Sequence, residues 1–168
     1  VILSPSGRRA PVAPRMIPTS GHPGDMDRET REYWQRRLTS LWVDHIPLAG
    51  AMGVSIARLD GEGLEVSAPL NLNANHMGTA FGGALQALAT LAGWGVAMML
   101  AGPRFEGHVV IGRSQMRFFA PVPGTLHARC RFPPAVERAE LAAALAARGR
   151  ARISLAVVLG TMDGGELP

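Results

Sequence analysis

The sequence contains no lysine and only one cysteine, and each scarcity excludes a class of protein. All 17 positively charged residues of the 168-residue chain are arginines, set against 13 acidic residues for a net charge of +4. They are not clustered into the basic, aromatic-rich face that nucleic-acid binding needs. Cys130 cannot form an internal disulfide, which fits a reducing compartment. We therefore expect a cytoplasmic protein with no nucleic-acid partner.

Metal and nucleotide motifs are also missing. With one Cys and five scattered His, the chain offers no metal-ligand spacing. It has no P-loop and no dinucleotide-binding fingerprint. We expect no metal and no cofactor.

Charged residues are absent from residues 66–103. Within this stretch, Gly82–Ala101 predicts one nearly apolar helix that ends at Gly102-Pro103. Its length would also suit a membrane span. The polar Gln86 and Thr90, many small residues and a neutral Asn-rich flank instead favour a helix buried in a soluble core. We expect no membrane partner.

The other elements follow from periodicity. Arg28–His45 predicts an amphipathic helix with Asp27 as its N-cap, and Ala135–Arg148 a second helix. Val54–Leu59 and Leu64–Leu70 alternate and are joined by Asp-Gly-Glu-Gly, which predicts a hairpin.

Three longer runs alternate apolar and polar residues and predict half-buried strands. They are His108–Ala120, Thr125–Phe132 and Arg150–Leu159. A charge-free helix needs burial on nearly all sides, and antiparallel strands with one apolar face can wrap it. The predicted fold class is α+β, with a curled antiparallel sheet wrapped around a long central helix.

The most informative stretch is Asn73–Gly83, which leads directly into the central helix. Its sequence is NANHMGTAFGG. Gly82 and Gly83 leave backbone N–H groups uncrowded at the positive end of the helix dipole. That arrangement suits binding an oxyanion or polarising a carbonyl group.

These residues carry a family resemblance. HIPLAGAMG from His45, APLNLNANHMGTAFGGALQALATLAGWG and FFAPVPGTLHA resemble the hotdog-fold thioesterases of the YiiD C-terminal type, over about residues 30–160. The resemblance implies a hotdog fold and a homodimer or higher homo-oligomer that holds an acyl thioester at the subunit interface. The substrate implied is an acyl-CoA or an acyl-carrier-protein thioester.

Domain organisation follows from composition and from the resemblance. Residues 1–25 are rich in Pro, Gly and Ser and predict a disordered arm or linker. Residues 26–168 are expected to form the hotdog thioesterase-like domain. The chain ends on a turn-like Asp163-Gly-Gly-Glu-Leu-Pro168 where such domains have a last strand. We therefore expect either a truncated domain or an unpaired sheet edge.

Two positions depart from the hotdog thioesterases of the phenylacetate-pathway type. Those enzymes carry a His before the Gly-Gly pair and an acid on the central helix. Here Phe81 stands at the position of the His and Thr90 at that of the acid. The nearest acids along the chain are Glu65 and Glu106, which folding or a second subunit could bring in.

The candidate site residues fall into two groups by expected role. The catalytic candidates are Asn75, His76, Gly83 and Thr90. The substrate-binding candidates are Asn73, Gly78, Thr79, Phe81, Gly82, Gln86 and Ser114. Each group has a structural alternative: the Asn side chains can cap a loop, Thr90 can bond its own helix, and Ser114 can make room for a neighbour.

The leading hypothesis is an acyl-thioester hydrolase. The Gly82 and Gly83 amides would polarise the carbonyl, and Asn75 with His76 would position or activate water. A non-hydrolytic acyl-thioester-binding domain and a hotdog dehydratase remain alternatives. Arginines on the polar sides of the predicted strands are candidates for contacts with CoA phosphates: Arg113, Arg117, Arg129, Arg131 and Arg152.

Overall fold

The structure is a computed structural model that describes residues 1–5, 26–162 and 167. Its helices and strands alternate irregularly along the chain, as an α+β protein requires. In chain order they are β1 (Ile2–Pro5), α1 (Arg28–His45), α2 (Pro47–Ala51), β2 (Ser55–Asp60), β3 (Gly63–Ala68), α3 (Gly82–Ala101), β4 (Gly107–Val110), β5 (Leu126–Arg131), α4 (Ala135–Arg148), β6 (Ala151–Arg152) and β7 (Val157–Gly160).

The helices begin and end where local chemistry predicts. Asp27 caps α1, because its side chain accepts a hydrogen bond from the backbone N–H of Thr30 at 2.7 Å. The helix ends before Pro47, which opens α2. The central helix α3 ends at Gly102, whose φ of +87° favours glycine. The predicted bounds of α1, α3 and α4 are confirmed.

Two antiparallel sheets form the β layer. The larger has the strand order β2-β3-β5-β7, and its strands β2 and β3 form the predicted hairpin. β3 also pairs with β5, with Leu64 opposite Cys130 and Val66 opposite Ala128. The smaller has the order β4-β1-β6. The predicted strand Thr125–Phe132 is observed as β5.

The core lies between α3 and the larger sheet. The apolar face of β3 and β5 packs on α3, and α1 adds a layer through the buried Trp42 and Leu38. Gly95 of α3 permits close approach, because a Cβ there would lie 2.5 Å from Leu64 Cδ2. Among the described residues α3 is the one helix long and apolar enough to cross a membrane, and its packing on the sheets makes it a core helix.

The structure corrects four predictions. Residues 108–120 were expected to form one strand, but the strand ends at Val110 and the following residues join no ladder. The run 150–159 is divided into β6 and β7 with a break at residues 153–156. The cause is β1, which lies between β4 and β6 and keeps these two runs from pairing with each other.

The third correction concerns the amino-terminal segment. Residues 1–25 were expected to be a disordered arm, yet Ile2–Pro5 forms β1, with Leu3 fully buried. Residues 6–25 lie outside the described part of the chain, as do 163–166 and 168. A single curled sheet was expected, and the described strands form two sheets.

Replacing Gly63 with Ala tests the pairing of β3 with β5. A Cβ at Gly63 would collide with the carbonyl oxygen of Cys130 and lie 2.8 Å from the Cα of Arg131. Backbone atoms cannot move aside without breaking the ladder. We expect Gly63→Ala to lower the free energy of unfolding, measured in urea, by about 1–3 kcal/mol.

Gly50→Ala is the matched control, because no atom lies within 4 Å of its new Cβ. In the helix α2 this change should keep or raise stability. Equal stability of the two variants would contradict the pairing.

Candidate functional site

Asn73 anchors the loop that precedes α3. It is buried, and its Nδ2 donates to the carbonyl oxygens of Met52 and Pro69, each at 2.8 Å. Its own carbonyl oxygen accepts from the N–H of Phe81 at 2.8 Å. Its polar atoms therefore hold chain segments together and do not face a cavity.

Asn75 organises the tip of the same loop. Its Oδ1 accepts from the N–H groups of Met77 at 2.8 Å and Thr79 at 3.3 Å, an Asx-type turn. Its Nδ2 donates to Thr79 Oγ1 at 3.1 Å. Gly78 completes the turn with a φ of +74°, in the left-handed region that glycine adopts without strain. The geometry thus gives Asn75, Gly78 and Thr79 a role in shaping the loop.

His76 lies at the exposed tip of this loop. Its side chain makes no hydrogen bond to any residue that the structure describes. The neighbouring Met77 is 73% exposed, although it is a large apolar residue. His76 is therefore free to meet a ligand or a second molecule that approaches the loop.

The amino terminus of α3 presents unpaired backbone donors. Phe81 is the N-cap but has no side chain that can accept a hydrogen bond. Within the described chain, the N–H groups of Gly82, Gly83 and Ala84 meet no acceptor, and the first bond runs from Leu85 N to Phe81 O. Three donors at the positive end of a helix dipole can stabilise negative charge on an oxygen atom.

Two phenylalanine rings flank these donors. The Phe81 ring folds back over Gly83, where a Cβ would lie 3.0 Å from its Cδ1. The Phe118 ring approaches Gly82, 3.5 Å from where a Cβ would lie. A side chain at position 83 would displace the Phe81 ring, which is itself 57% exposed.

A cavity of about 1280 Å³ opens between α3 and the two runs that were expected to pair. Its floor is one face of α3, its walls are residues 111–122 and 152–161, and Phe118 connects it to the amino terminus of α3. Apolar side chains of both walls point into it, including Met116, Leu155 and Val157. Its size and lining fit a ligand with a long apolar portion.

The polar groups on the cavity floor are hydrogen-bonded to each other. Gln86 Nε2 donates to Ser114 Oγ at 2.6 Å, which ties α3 to the cavity wall. Thr90 Oγ1 donates to the carbonyl oxygen of Gln86 at 2.9 Å, the helix back-bond that was its structural alternative. Gln86 Oε1 has no donor among the described residues and can accept a hydrogen bond from water.

The lining of the cavity contains no Asp, Glu, His or Cys among the described residues. Glu65 is buried on the face of β3 turned away from α3, where its Oε1 lies 2.9 Å from Nδ1 of His127. Glu106 also lies outside the lining. Burial raises the pKa of the Cys130 thiol to about 12, so this thiol stays protonated at neutral pH and is no nucleophile.

Seven of the eleven expected site residues therefore fall into two groups. Gln86, Thr90 and Ser114 meet at the cavity, whereas Asn73, Asn75, Gly78 and Thr79 build the loop that positions the amino terminus of α3. Sequence reasoning missed the second wall, residues 153–161, and the contribution of Ile2. Alternation in 150–159 indicated a half-buried strand but not that it would face an open cavity.

Comparison with known proteins identifies a family to which the chain is similar. The family model described as "Putative thioesterase (yiiD_Cterm)" matches residues 35–165. A protein of unknown function from Chlorobaculum tepidum TLS is 32% identical, with a TM-score of 0.73 over 77% of this chain and 80% of that one.

Two further solved structures are similar to this chain. A putative thioesterase from Shewanella oneidensis is 29% identical, with a TM-score of 0.69 over 81% of this chain and 91% of its own. A protein from Pseudomonas aeruginosa, described as of unknown function and a probable thioesterase, shares the fold at 23% identity, with a TM-score of 0.61 over 79% and 87% of the two chains. By the match over most of its length, the chain belongs to the family described as Putative thioesterase (yiiD_Cterm).

Proposed function

We propose that the protein is an acyl-thioester hydrolase of hotdog fold that acts on acyl-CoA or acyl-carrier-protein thioesters. The observation that carries the proposal is the uncapped amino terminus of α3 beside a large apolar cavity. A thioester carries a polarisable carbonyl next to an apolar acyl chain. The helix terminus suits the carbonyl, and the cavity suits the acyl chain. Family membership supports the same reaction.

The free N–H groups of Gly82 and Gly83 would receive the carbonyl oxygen of the thioester. Water adds to the carbonyl carbon, negative charge develops on this oxygen, and collapse of the intermediate breaks the C–S bond to release a thiol and a carboxylic acid. Donors already fixed by the helix stabilise that charge without reorganising. The acyl chain would lie in the cavity, against the Met116 and Leu155 side chains.

Gln86 is the residue best placed to position water. Its Nε2 is held by Ser114, which fixes the side chain and leaves Oε1 as an acceptor. An amide cannot take up a proton at neutral pH, so Gln86 would orient the water and another group would be the base. His76 is our candidate, because it is exposed on the loop before α3.

A second candidate function is a domain that binds acyl thioesters without hydrolysing them. The observation in its favour is the lining of the cavity, where the described residues include no carboxylate and no imidazole. The same observation weighs against a dehydratase, which needs a positioned acid–base pair.

We also propose a cytoplasmic homodimer. β4 is at the edge of its sheet, and the exposed run that follows it carries Phe119, which is 89% exposed. Phe81 and Phe118 are also largely exposed. An edge segment with neighbouring apolar side chains is suited to pairing with the same segment of a second copy.

Thiol release from a panel of short, long and aromatic acyl-CoAs tests the hydrolase. We expect turnover of at least one member, and Gln86→Ala to lower kcat about tenfold or more through loss of water positioning. Gln35→Ala, on α1 and outside the cavity, is the control and should keep wild-type turnover. Binding of acyl-CoA and acyl-carrier-protein thioesters without any thiol release would favour the non-hydrolytic domain.

His76→Ala and Asn75→Ala separate chemistry from loop structure. His76 has no described partner, so its removal should leave the urea midpoint unchanged and lower kcat about a hundredfold if it is the base. Asn75→Ala removes an acceptor shared by two N–H groups and should also lower stability by about 1 kcal/mol. Unchanged kcat in His76→Ala would remove His76 from the mechanism.

Sedimentation equilibrium tests the dimer. We expect the wild type to have twice the mass of one chain, and Phe119→Asp to shift it toward the monomer because a charge would be buried at the interface. Val43→Asp, at an exposed apolar position on α1, is the control and should stay dimeric. A monomeric wild type would contradict the proposal.

A further inference from the structure

Asn73 connects separate segments of the chain at one buried point. Its side chain is in a residue only 4% exposed, and both hydrogens of its amide are used. The Nδ2 atom donates to the carbonyl oxygens of Met52 and Pro69, each at 2.8 Å. Met52 is the C-cap residue of α2, and Pro69 directly follows β3. Asn75, by contrast, bonds residues of its own loop.

The main chain of Asn73 carries this fixed point to the amino terminus of α3. Its carbonyl oxygen accepts a hydrogen bond from the N–H of Phe81 at 2.8 Å, and Phe81 is the N-cap of α3. The N–H groups of Gly82 and Gly83 are the next two along the chain. Only two soft dihedral angles separate consecutive peptide planes, so fixing the Phe81 peptide restricts the directions in which these donors point.

A second hydrogen bond holds the same region from another segment. The N–H of Ala80 donates to the carbonyl oxygen of Val122 at 2.8 Å. This anchor uses main-chain atoms alone, whereas the Asn73 anchor depends on a side-chain amide. The contribution of Asn73 can therefore be removed by mutation while the Ala80 bond remains as an internal reference.

The corner that follows α2 is shaped to receive the loop. Gly53 has a φ of +66°, in the left-handed region that favours glycine. A Cβ there would lie 3.1 Å from Leu72 Cδ1 and 3.2 Å from Pro69 Cγ, so the loop packs closely against the main chain of the corner. Asn73 bonds the carbonyl group of the residue just before Gly53. Close packing and hydrogen bonding thus meet at the same corner.

We propose that Asn73 is a positioning residue for the hydrolysis. Its side chain fixes the loop to the α2 corner, and through Phe81 the loop fixes the first turn of α3. The inference rests on the proposed function, in which the donors of α3 receive the thioester carbonyl. It gives Asn73 no contact with substrate and so differs from the substrate-binding role expected from the sequence.

Steady-state thiol release by the full chain tests this role, with the acyl-CoA that the wild type turns over fastest. We expect Asn73→Ala to lower kcat about tenfold or more and to change KM by less than about twofold. Donors that are already oriented act chiefly on the transition state, and a small displacement of them is costly. Gly53→Ala displaces the same corner by a different route and should lower kcat in the same way.

Two controls separate positioning from a general loss of stability. Gly50→Ala adds the same methyl group to α2 with no atom within 4 Å of it, and it should keep wild-type kcat. Gly63→Ala disturbs the pairing of β3 with β5 at the end of β3 opposite to Pro69. At temperatures below its unfolding transition it should also keep wild-type kcat.

Amide hydrogen exchange, followed by NMR, tests the connection without catalysis. Asn73→Ala should speed exchange of the Phe81 N–H about tenfold or more, because the acceptor of this group is no longer held in place. Exchange of the Ala80 N–H, which is bonded to Val122, should change much less. If Asn73→Ala does not fold, Asn73→Ser, which keeps a hydroxyl donor, takes its place in both measurements.

Unchanged kcat in Asn73→Ala, or an equal fall of kcat in Asn73→Ala and Gly63→Ala, would overturn the role. Exchange at Phe81 that rises no more than in the rest of the chain would do the same. If the wild type releases thiol, either result removes the role of Asn73 and keeps the hydrolase. If the wild type releases none from any acyl-CoA or acyl-carrier-protein thioester, the proposed function fails and this role fails with it.

Discussion

The burial of a helix that carries no charge determines the architecture. Nothing on α3 can bond water strongly apart from a few polar side chains, so its apolar surface must be covered by other elements. The larger sheet covers one side through Leu64 and Val66, and α1 extends this core with Trp42. The smaller sheet adds a second cluster around Leu3 and Ala97. The cavity is the part of the α3 surface that these elements leave uncovered.

The same helix places its own amino terminus beside that opening. Asn73 and Asn75 use their side chains to fix the preceding loop, so they cannot also cap the first turn of α3. Phe81, at the capping position, has no acceptor. The N–H groups of Gly82 and Gly83 are thus left without an acceptor among the described residues, because the nearby Asn side chains bond to other groups. An uncapped helix loses stability, and here it leaves backbone N–H donors without a partner in the described chain.

Elements with local determinants could be predicted from the sequence. The bounds of α1 follow from Asp27 and Pro47, and those of α3 from the glycine pair and Gly102. The hairpin of β2 and β3 follows from its Asp-Gly turn. Alternation correctly indicated β5 but overestimated the length of the strands at 108–120 and 150–159, and which strands become neighbours is a non-local property. Insertion of β1 between β4 and β6 depends on contacts about 100 to 150 residues apart along the chain, which no local pattern reveals.

The candidate site shows the same division. The loop before α3 was predictable as a feature, because Asn and Gly residues at these spacings are typical of a tight turn. It was not predictable which Asn atoms face a substrate, because an Asx turn and a ligand contact use the same side-chain amide. Likewise the strand arginines are alike in sequence, and only the position of Glu62 beside Arg129 distinguishes paired from unpaired guanidinium groups.

The two candidate functions differ by one chemical contribution. Fixed donors at a developing oxyanion are worth about a hundredfold to a thousandfold in rate, and a general base adds about a hundredfold or more. The amino terminus of α3, beside the cavity, has the unpaired donors, and the described lining of the cavity offers no general base. A base must therefore come from outside that lining, and Met77, Phe81 and Phe118 expose apolar surface around the amino terminus of α3. A second chain docked there would bury that apolar surface, and it could also bring a base close to the N–H donors. Dimerisation would therefore account for both the exposed phenylalanines and the absence of a base in the described lining.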